Sequence, residues 1–165
     1  MIAKKMQDAL NGQINAEFYS SYLYLSMVAY FESINLRGFA SWMRAQTGEE
    51  KNHAMKIYDF IIERGGGVTL EAIAKPVSEW KSPLAAFEAA YKHEQKVTGL
   101  INDLVELAAK EKDHATGIFL QWFVTEQVEE EKNAGEIVAK LQLLKDSAGS
   151  MYMLDKELGK RGAAK

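Results

Sequence analysis

The sequence predicts an all-α fold: a bundle of four long helices with one long crossover between helices two and three, plus a short fifth helix at the C-terminus. Apolar residues recur at three- and four-residue intervals along four long stretches, the period of an amphipathic helix, and strand-like alternation is absent. One segment without such a stripe is too long for a tight turn. The 165 residues suit one domain, residues 1–165, with the bundle over about residues 5–145.

The first two helices are predicted to form a hairpin. Helix one should run from about Lys5 to about Ser33, and a short break follows it. Because the break is short, helix two, roughly Arg37 to Arg64, must fold back antiparallel to helix one. Three glycines at residues 65–67 end helix two, since glycine readily takes the positive φ that often terminates a helix.

The crossover and helix three come next. Residues 68–82 contain Pro76 and no long stripe, so we expect this segment to run along the bundle and to leave helices two and three parallel. Ser82 is a suitable N-cap for helix three. Pro83 then occupies the first helical position, where its missing N–H does no harm. Helix three should continue to about Glu111.

Helix four and a fifth helix complete the chain. Asp113 is a suitable N-cap for helix four, which should end near Lys145. Three apolar residues at helical spacing then predict a fifth helix over about residues 147–159, followed by a tail over residues 160–165. These apolar residues pack either on the end of their own bundle or against other subunits, and their spacing favours neither.

Polar residues interrupt each stripe where it should be buried. Glu50 and His53 interrupt helix two, and Gln127 and Glu130 interrupt helix four. Helices one and three carry one acid each. These positions repeat at an offset of 77 residues, so the chain resembles one helical hairpin written twice. The pairs are Glu17 and Glu94, Glu49 and Glu126, Glu50 and Gln127, and His53 and Glu130.

Buried acids at one level of a bundle require a compensating cation, or protonation of some of the carboxylates when the layer is empty. Burying one unpaired carboxylate costs several kcal/mol, so several together would exceed the roughly 5 to 15 kcal/mol by which a domain is stable. The seam positions of this layer contain no Lys or Arg. Oxygen ligands with one imidazole suit iron or manganese, with zinc as a surrogate or inhibitor. Bridging carboxylates would let two ions share the predicted ligands: Glu17, Glu50, His53, Glu94, Gln127 and Glu130.

Several neighbouring residues leave two interpretations open. Gln127 is a weak ligand that either joins the metal site or only hydrogen-bonds to Glu130. The Tyr24 phenol is either a core aromatic with a satisfied hydroxyl or a hydrogen-bond partner of a metal-bridging carboxylate that donates an electron. For Trp122, a packing role is favoured over a redox role. Three acids beside the seam form either a solvated face or a third, weaker metal position: Glu49, Glu126 and Glu129.

The other two histidines are not predicted in the dinuclear site. His93 lies about 100° around its helix from Glu94, and His114 lies near a helix start.

Composition excludes several functional classes. The net charge of -3 and the lack of a basic block argue against nucleic acid and anionic membranes as partners. Zero cysteines exclude disulfides, zinc–thiolate sites and iron–sulfur clusters, and fit a reducing compartment. No stretch approaches the roughly 20 apolar residues of a membrane span, and the N-terminus lacks a signal core. We therefore expect a cytoplasmic protein.

Glu17, Glu50-x-x-His53, Glu94 and Gln127-x-x-Glu130, in this order and spacing, resemble the non-haem ferritins of bacteria and archaea over essentially the whole chain. The resemblance implies a ferritin-like four-helix bundle that serves iron storage and detoxification. It also implies a ferroxidase that oxidises Fe(II) to Fe(III) with dioxygen or peroxide and stores a ferric mineral. The expected assembly is a hollow homo-oligomer of about 24 subunits with closed symmetry, in which the fifth helix lines four-fold channels.

The same resemblance implies individual roles. The first iron would be held by Glu17, Glu50 and His53, with Glu50 as the bridge, and the second by Glu94 and Glu130 with Gln127 nearby. A third iron site would use Glu49, Glu126, Glu129 and Glu130, and Tyr24 matches the tyrosine beside the centre. Haem is not expected, because a bacterioferritin would have a haem-ligating Met at Asn52 and a second Glu-x-x-His at residues 127–130. Asp59 and Glu63 are candidates for promoting mineral growth.

Two rival functions come from other classes. One is a di-iron enzyme that activates oxygen for an organic substrate, although the Tyr, Phe and Leu residues of the seam leave little room for a substrate pocket. The other is a structural or interaction bundle whose acids are solvated. A monomeric or dimeric protein would favour these rivals over a cage.

Overall fold

The computed structural model describes residues 1–144 and 147–163, and five α-helices account for most of them. No β-strand occurs in these two ranges, so the predicted all-α fold is confirmed. The predicted end of helix four, Lys145, lies outside the described residues. The helices are α1 (Lys4–Ser33), α2 (Arg37–Glu63), α3 (Pro83–Lys110), α4 (His114–Leu143) and α5 (Ala148–Ala163).

Contacts between α1 and α2 show that these helices are antiparallel. Phe31, near the end of α1, lies 5.2 Å from Phe39 near the start of α2, measured between ring centroids. Earlier in α1, Ser21 Oγ donates a hydrogen bond of 2.8 Å to the Thr47 carbonyl, which lies later in α2. The short connection therefore makes a hairpin, as its length predicts.

Contacts of α1 with α3 establish the direction of the second hairpin. Phe31 lies 5.8 Å from Phe87 near the start of α3, and Tyr24, earlier in α1, donates a hydrogen bond to Glu94, later in α3. Because α1 is antiparallel to both α2 and α3, these two helices are parallel. The prediction made from the long crossover is confirmed.

The crossover itself is held by side chains of α1. Asn11 Nδ2 donates to the Gly67 carbonyl at 3.0 Å, and Ser26 Oγ donates to the Val77 carbonyl at 2.7 Å. The two donors lie four turns apart on α1, so the crossover follows this helix along much of its length.

Local signals set the helix ends. Ser82 Oγ accepts from the Ala85 N–H at 3.1 Å, and Asp113 Oδ1 accepts from the Thr116 N–H at 3.2 Å, so both predicted N-caps are confirmed. Gly65, which follows the C-cap Arg64 of α2, has a φ of 67°, in the left-handed region that glycine enters without steric penalty.

The apolar core consists of two clusters separated by a polar layer. Phe31, Phe39 and Phe87 belong to the cluster around the start of α2, and Ile57 and Leu120 belong to the cluster around its end. Along the bundle helices, six buried polar residues fall between the positions assigned to these two clusters: Glu17, Glu50, His53, Glu94, Gln127 and Glu130. The polar layer is therefore closed by packed apolar side chains on both sides along the bundle axis.

The fifth helix packs against α2. Leu154 and Leu158 are buried, and Asp155 Oδ1 accepts from the N–H groups of Gly38 at 2.7 Å and Phe39 at 3.0 Å. These two N–H groups lie in the first turn of α2 and lack partners within the helix. A Cβ at Gly38 would lie 1.6 Å from the Asp155 carbonyl oxygen, so this approach of the two helices requires glycine.

The predicted end of the fifth helix at residue 159 is wrong, because the helix continues to Ala163. A Cβ at Gly159 would lie 3.4 Å from the Gly38 Cα, so this glycine lies in the packed interface of the two helices. Residues 160–163 of the predicted tail are thus helical, and residues 164–165 lie outside the described residues. Among the helices of residues 1–144 and 147–163, none has the length and apolarity that crossing a membrane requires.

Candidate metal centre

The polar layer is assembled from the four bundle helices, and its acids point inward. Glu17 and Glu94 are each 1% exposed, Glu50 is 2% exposed and Glu130 is 4% exposed. His53 is 5% exposed. These values contradict the rival interpretation of a bundle in which these four acids are solvated.

Two groups of ligand atoms lie at this level. One oxygen each of Glu17 and Glu50 and one nitrogen of His53 lie within 4.8 Å of one another. A second group with the same spread contains Glu50, Glu94 and Glu130. Because Glu50 belongs to both groups, its carboxylate lies where it can bridge two cations.

The donor set fits iron. Its ligands are oxygens with a single imidazole, which suit iron and manganese, and the described part of the chain offers this layer no thiolate. Glu17 Oε2 is buried without a hydrogen-bond partner among the described residues. A buried carboxylate oxygen in that condition is costly unless a cation or proton satisfies it.

Burial leaves the acids protonated at unusually high pH. Burial, followed by the charge of Glu50, raises the pKa of Glu17 to about 8. Burial and then the charge of Glu94 raise the pKa of Glu130 to about 7. The pKa values of Glu50 and Glu94 are also raised, with burial as the largest cause. At neutral pH the metal-free layer therefore retains protons that a divalent cation would displace.

Gln127 and Tyr24 both donate hydrogen bonds to Glu94. Gln127 Nε2 lies 3.2 Å from Glu94 Oε2 and 3.3 Å from Thr98 Oγ1. The alternative in which Gln127 bonds only to Glu130 is wrong, because its amide is directed at α3. The Tyr24 hydroxyl donates to Glu94 Oε1, and burial followed by the charge of Glu94 raises the pKa of this phenol well above its ordinary value. Tyr24 thus stays protonated and orients a candidate ligand.

Sequence reasoning missed the amides that orient the other carboxylates. Gln46 Nε2 donates to Glu50 Oε1 at 3.0 Å and to Glu130 Oε2 at 2.6 Å, so it joins α2 to α4. Gln13 Nε2 donates to Glu17 Oε1 at 2.8 Å. Gln46 stands in the apolar stripe of helix two, and that placement was the signal that could have identified it.

A third group of ligand atoms overlaps the first two. His53, Glu126 and Glu130 offer one atom each within 4.8 Å, and His53 Nε2 lies 3.9 Å from Glu126 Oε1. Glu49 and Glu129 belong to none of the three groups found in the described residues. Glu129 is exposed, and Glu49 accepts a hydrogen bond from Arg161 of α5.

The other residues singled out in the sequence lie outside the ligand groups. The Trp122 ring lies 5.4 Å from the His53 ring at an angle of 78° and packs edge-on against it. His93 Nε2 lies 2.8 Å from Ser20 Oγ, and burial followed by the charge of Lys96 lowers its pKa to about 4. His93 is in none of the ligand groups among the described residues, and neither is His114. Asp59 and Glu63 are exposed on α2.

Comparison with known proteins gives a consistent result. The family model described as "Ferritin-like domain" matches residues 7–144. A bacterial non-heme ferritin of Bacteroides fragilis is 46% identical over 161 residues, which cover 98% of this chain and 100% of that protein. One from Staphylococcus saprophyticus is 40% identical, covering 98% of this chain and 96% of that protein.

Solved structures agree with these relatives. An engineered closed form of the Archaeoglobus fulgidus ferritin is 59% identical with a TM-score of 0.96, covering 96% of this chain and 97% of that chain. A structure of the open pore ferritin of the same archaeon is 58% identical with a TM-score of 0.96, covering 96% and 98%. The chain therefore belongs to the ferritin family of iron-storage proteins.

Proposed function

We propose that this protein oxidises ferrous iron at a dinuclear centre in its polar layer and stores the ferric product as a mineral inside a cage of about 24 copies. One observation carries the proposal. Two buried groups of ligand atoms share Glu50, so a single carboxylate can hold two ferrous ions close together. An oxidant that accepts two electrons can then take one from each ion.

The ligands divide between two positions. Glu17, Glu50 and His53 would hold the first ferrous ion, and Glu50, Glu94 and Glu130 the second. With dioxygen as oxidant, two ferrous ions lose one electron each, and dioxygen gains two electrons and two protons to give hydrogen peroxide. With peroxide as oxidant, the same two electrons and two protons give two water molecules.

Residues around the ligands hold these carboxylates in position. Gln46 orients Glu50 of α2 and Glu130 of α4, because its amide donates a hydrogen bond to each. Tyr24 and Gln127 hold the two oxygens of Glu94. The Tyr24 phenol is oxidisable and is hydrogen-bonded to a candidate ligand, so an electron donated from it would leave through this hydrogen bond.

A third, weaker iron position would lie beside the dinuclear centre. The group of His53, Glu126 and Glu130 supports it, since these atoms also lie within 4.8 Å of one another. Glu49 and Glu129 would complete it only after their side chains turn toward Glu126. Iron leaving the dinuclear centre would then have an adjacent binding position.

The test is ferrous oxidation by matched variants. Glu50→Gln and His53→Gln should each bind fewer ferrous ions per chain under anaerobic titration and lose rapid aerobic oxidation, followed by the absorbance of the ferric product. Lys51→Gln changes an exposed residue between them on the same helix and should behave like the wild type. Rapid oxidation that survives in the double variant Glu50→Gln/His53→Gln would disprove the assignment.

Assembly separates the proposal from its rivals. Light scattering of the purified protein should give the mass of about 24 chains, and aerobic iron loading should leave a retained mineral core. A monomer or dimer that oxidises iron without retaining it would favour an oxygen-activating enzyme. A protein that takes up no iron would favour a structural bundle.

A further inference from the structure

The last turn of α5 brings a cation next to the candidate metal centre. The Arg161 guanidinium carbon lies 4.4 Å above the ring of Trp42, and Arg161 Nη2 donates a hydrogen bond to Glu49 Oε2. Both side chains of this ion pair are largely covered, with 26% of Arg161 and 33% of Glu49 exposed. Stacking on an indole together with a carboxylate partner fixes the guanidinium in direction as well as in distance.

The Arg161 cation acts on acids of the candidate third metal position. Glu49 directly precedes Glu50 in α2 and is one of the acids assigned to that position. The charge of Arg161 also acts on Glu130, where it opposes the rise in pKa caused by burial. Glu130 belongs to the ligand group of His53 and Glu126. Arg161 therefore interacts with the same acids that a third metal ion would use.

We propose that Arg161 is a tethered cation of the third metal position, bound to Glu49 when that position is empty and displaced when a divalent cation takes Glu49. Metal binding there and docking of the last turn of α5 then exclude each other. This inference rests on the proposed function, because it assumes that metal ions bind in the polar layer.

Repulsion between like charges explains why a metal ion and the docked Arg161 exclude each other. A metal ion on Glu49 would stand within a few ångströms of the guanidinium in a partly covered site, where water screens the repulsion of like charges poorly. Turning Arg161 out toward water removes this repulsion. By reciprocity, anything that holds Arg161 in place weakens metal binding at Glu49 by the same factor.

Only the end of α5 needs to move. Leu154 and Leu158 are buried, and Asp155 is bonded to the first turn of α2. These anchors precede Gly159, whereas Arg161 follows it. The structure thus separates a docked part of α5 from a last turn in which Arg161 pairs with Glu49 of α2.

The first test measures metal affinity with Zn²⁺, which undergoes no oxidation. Calorimetric titration of the metal-free protein should show two tighter equivalents per chain and one weaker. In Arg161→Gln the weaker equivalent should bind about fivefold more tightly, the lower end of usual coupling between sites, while the first two stay within about twofold of wild type. Lys160→Gln, which removes the same charge from the neighbouring residue, should leave all three equivalents unchanged.

The second test measures hydrogen exchange in α5. In the wild type, the third zinc equivalent should speed exchange in residues 160–163 but not in residues 150–158. In Arg161→Gln the last turn should exchange rapidly with or without zinc. Glu49→Gln should also free the last turn, and it should weaken the third equivalent instead of strengthening it.

The outcomes distinguish the two proposals. If Arg161→Gln loosens the last turn but leaves the third zinc affinity unchanged, Arg161 only docks the helix and the inference is overturned. A wild type that binds two equivalents and no third also overturns it, while leaving the dinuclear centre intact. A wild type that binds no zinc in the polar layer contradicts the proposed function itself.

Discussion

Replacing Glu17 with glutamine should stabilise the metal-free protein at neutral pH and leave its stability unchanged in acid. Glu17 is 1% exposed and its Oε2 lacks a hydrogen-bond partner among the described residues. Burial is the main cause that raises its pKa from 4.5 to about 8. Glutamine retains the acceptor that Gln13 uses and imitates the protonated acid, which is the form that the folded protein prefers.

Proton linkage gives the size of the effect. The unfolded chain loses this proton near pH 4.5, whereas the folded protein keeps it to about pH 8. Between these values the folded state binds more protons, so the free energy of unfolding falls by about 1.4 kcal/mol for each unit of rising pH. From this one group, the wild type loses about 3 kcal/mol at pH 7 and approaches a loss of about 5 kcal/mol above pH 8.

Guanidinium denaturation of chelator-treated protein between pH 4 and pH 9 would measure this difference. Glu17→Gln and wild type should coincide near pH 4, and the variant should be more stable by about 3 kcal/mol at pH 7. Glu106→Gln changes an exposed acid of α3 and should show no such trend. A difference between Glu17→Gln and wild type that does not change with pH would refute the reasoning. Excess Zn²⁺ should reverse the order, because the wild type gains more from bound metal.

Three further substitutions probe the surroundings of the centre. Gln46→Leu removes the amide that links two candidate ligands and should slow aerobic ferrous oxidation about tenfold, measured by stopped-flow absorbance. Gly38→Ala would place a Cβ 1.6 Å from the Asp155 carbonyl oxygen, so hydrogen exchange should show α5 loosened by about 1–3 kcal/mol. Asp113→Ala removes the cap that accepts from the Thr116 N–H and should lower the free energy of unfolding at pH 7 by about 1–2 kcal/mol.

Each of these substitutions has a control in the same chain. Gln121→Leu removes an exposed amide of α4, and its oxidation rate should equal that of wild type. Gly12→Ala places its Cβ in open space, so α5 should stay docked. Asp103→Ala changes an exposed acid of α3 and should not destabilise. Equal effects of a variant and its control would mean that the contact described for that variant is not the cause.

Asp113 also carries a pH dependence of the opposite sign to that of Glu17. Partial burial acts to raise its pKa, but hydrogen bonds from Thr116 and Arg64 outweigh burial and lower the pKa below its ordinary value. Its stabilisation is present above the ordinary pKa and is lost as pH falls through the lowered one. The difference between Asp113→Ala and wild type should therefore shrink in strong acid.

The bundle and its buried acids were predictable because both depend on residues of the same helix. Glu17 stands inside an apolar stripe of α1, and Glu94 stands inside one of α3, so each had to be buried if its helix packed at all. Ser82 and Asp113 cap their helices through a residue three positions later. Interactions over three or four residues can be read directly from the chain.

Two features were not predictable for a physical reason. The place of Gln46 in an apolar stripe signals that it is buried, but its amide reaches Glu130, 84 residues later, and no local pattern encodes that contact. Gly159 favours a helix end by its own conformational preference, yet it packs against Gly38 and α5 continues to Ala163. In both cases the outcome depends on how two helices approach each other in space.

The number of acids in the polar layer determines which oxidation state of bound iron its charge would balance. When ionised, Glu17, Glu50, Glu94 and Glu130 supply four negative charges, which two ferrous ions would neutralise completely. Gln127 occupies the position that corresponds to Glu50 in the other half of the chain, and a glutamate there would supply a fifth. Losing two electrons leaves the pair of ions with two positive charges in excess, in an interior where net charge is expensive. If this layer binds two ferrous ions as proposed, electroneutrality would favour their reduced form. The oxidised pair would stay only where anions from solvent balanced its added charge.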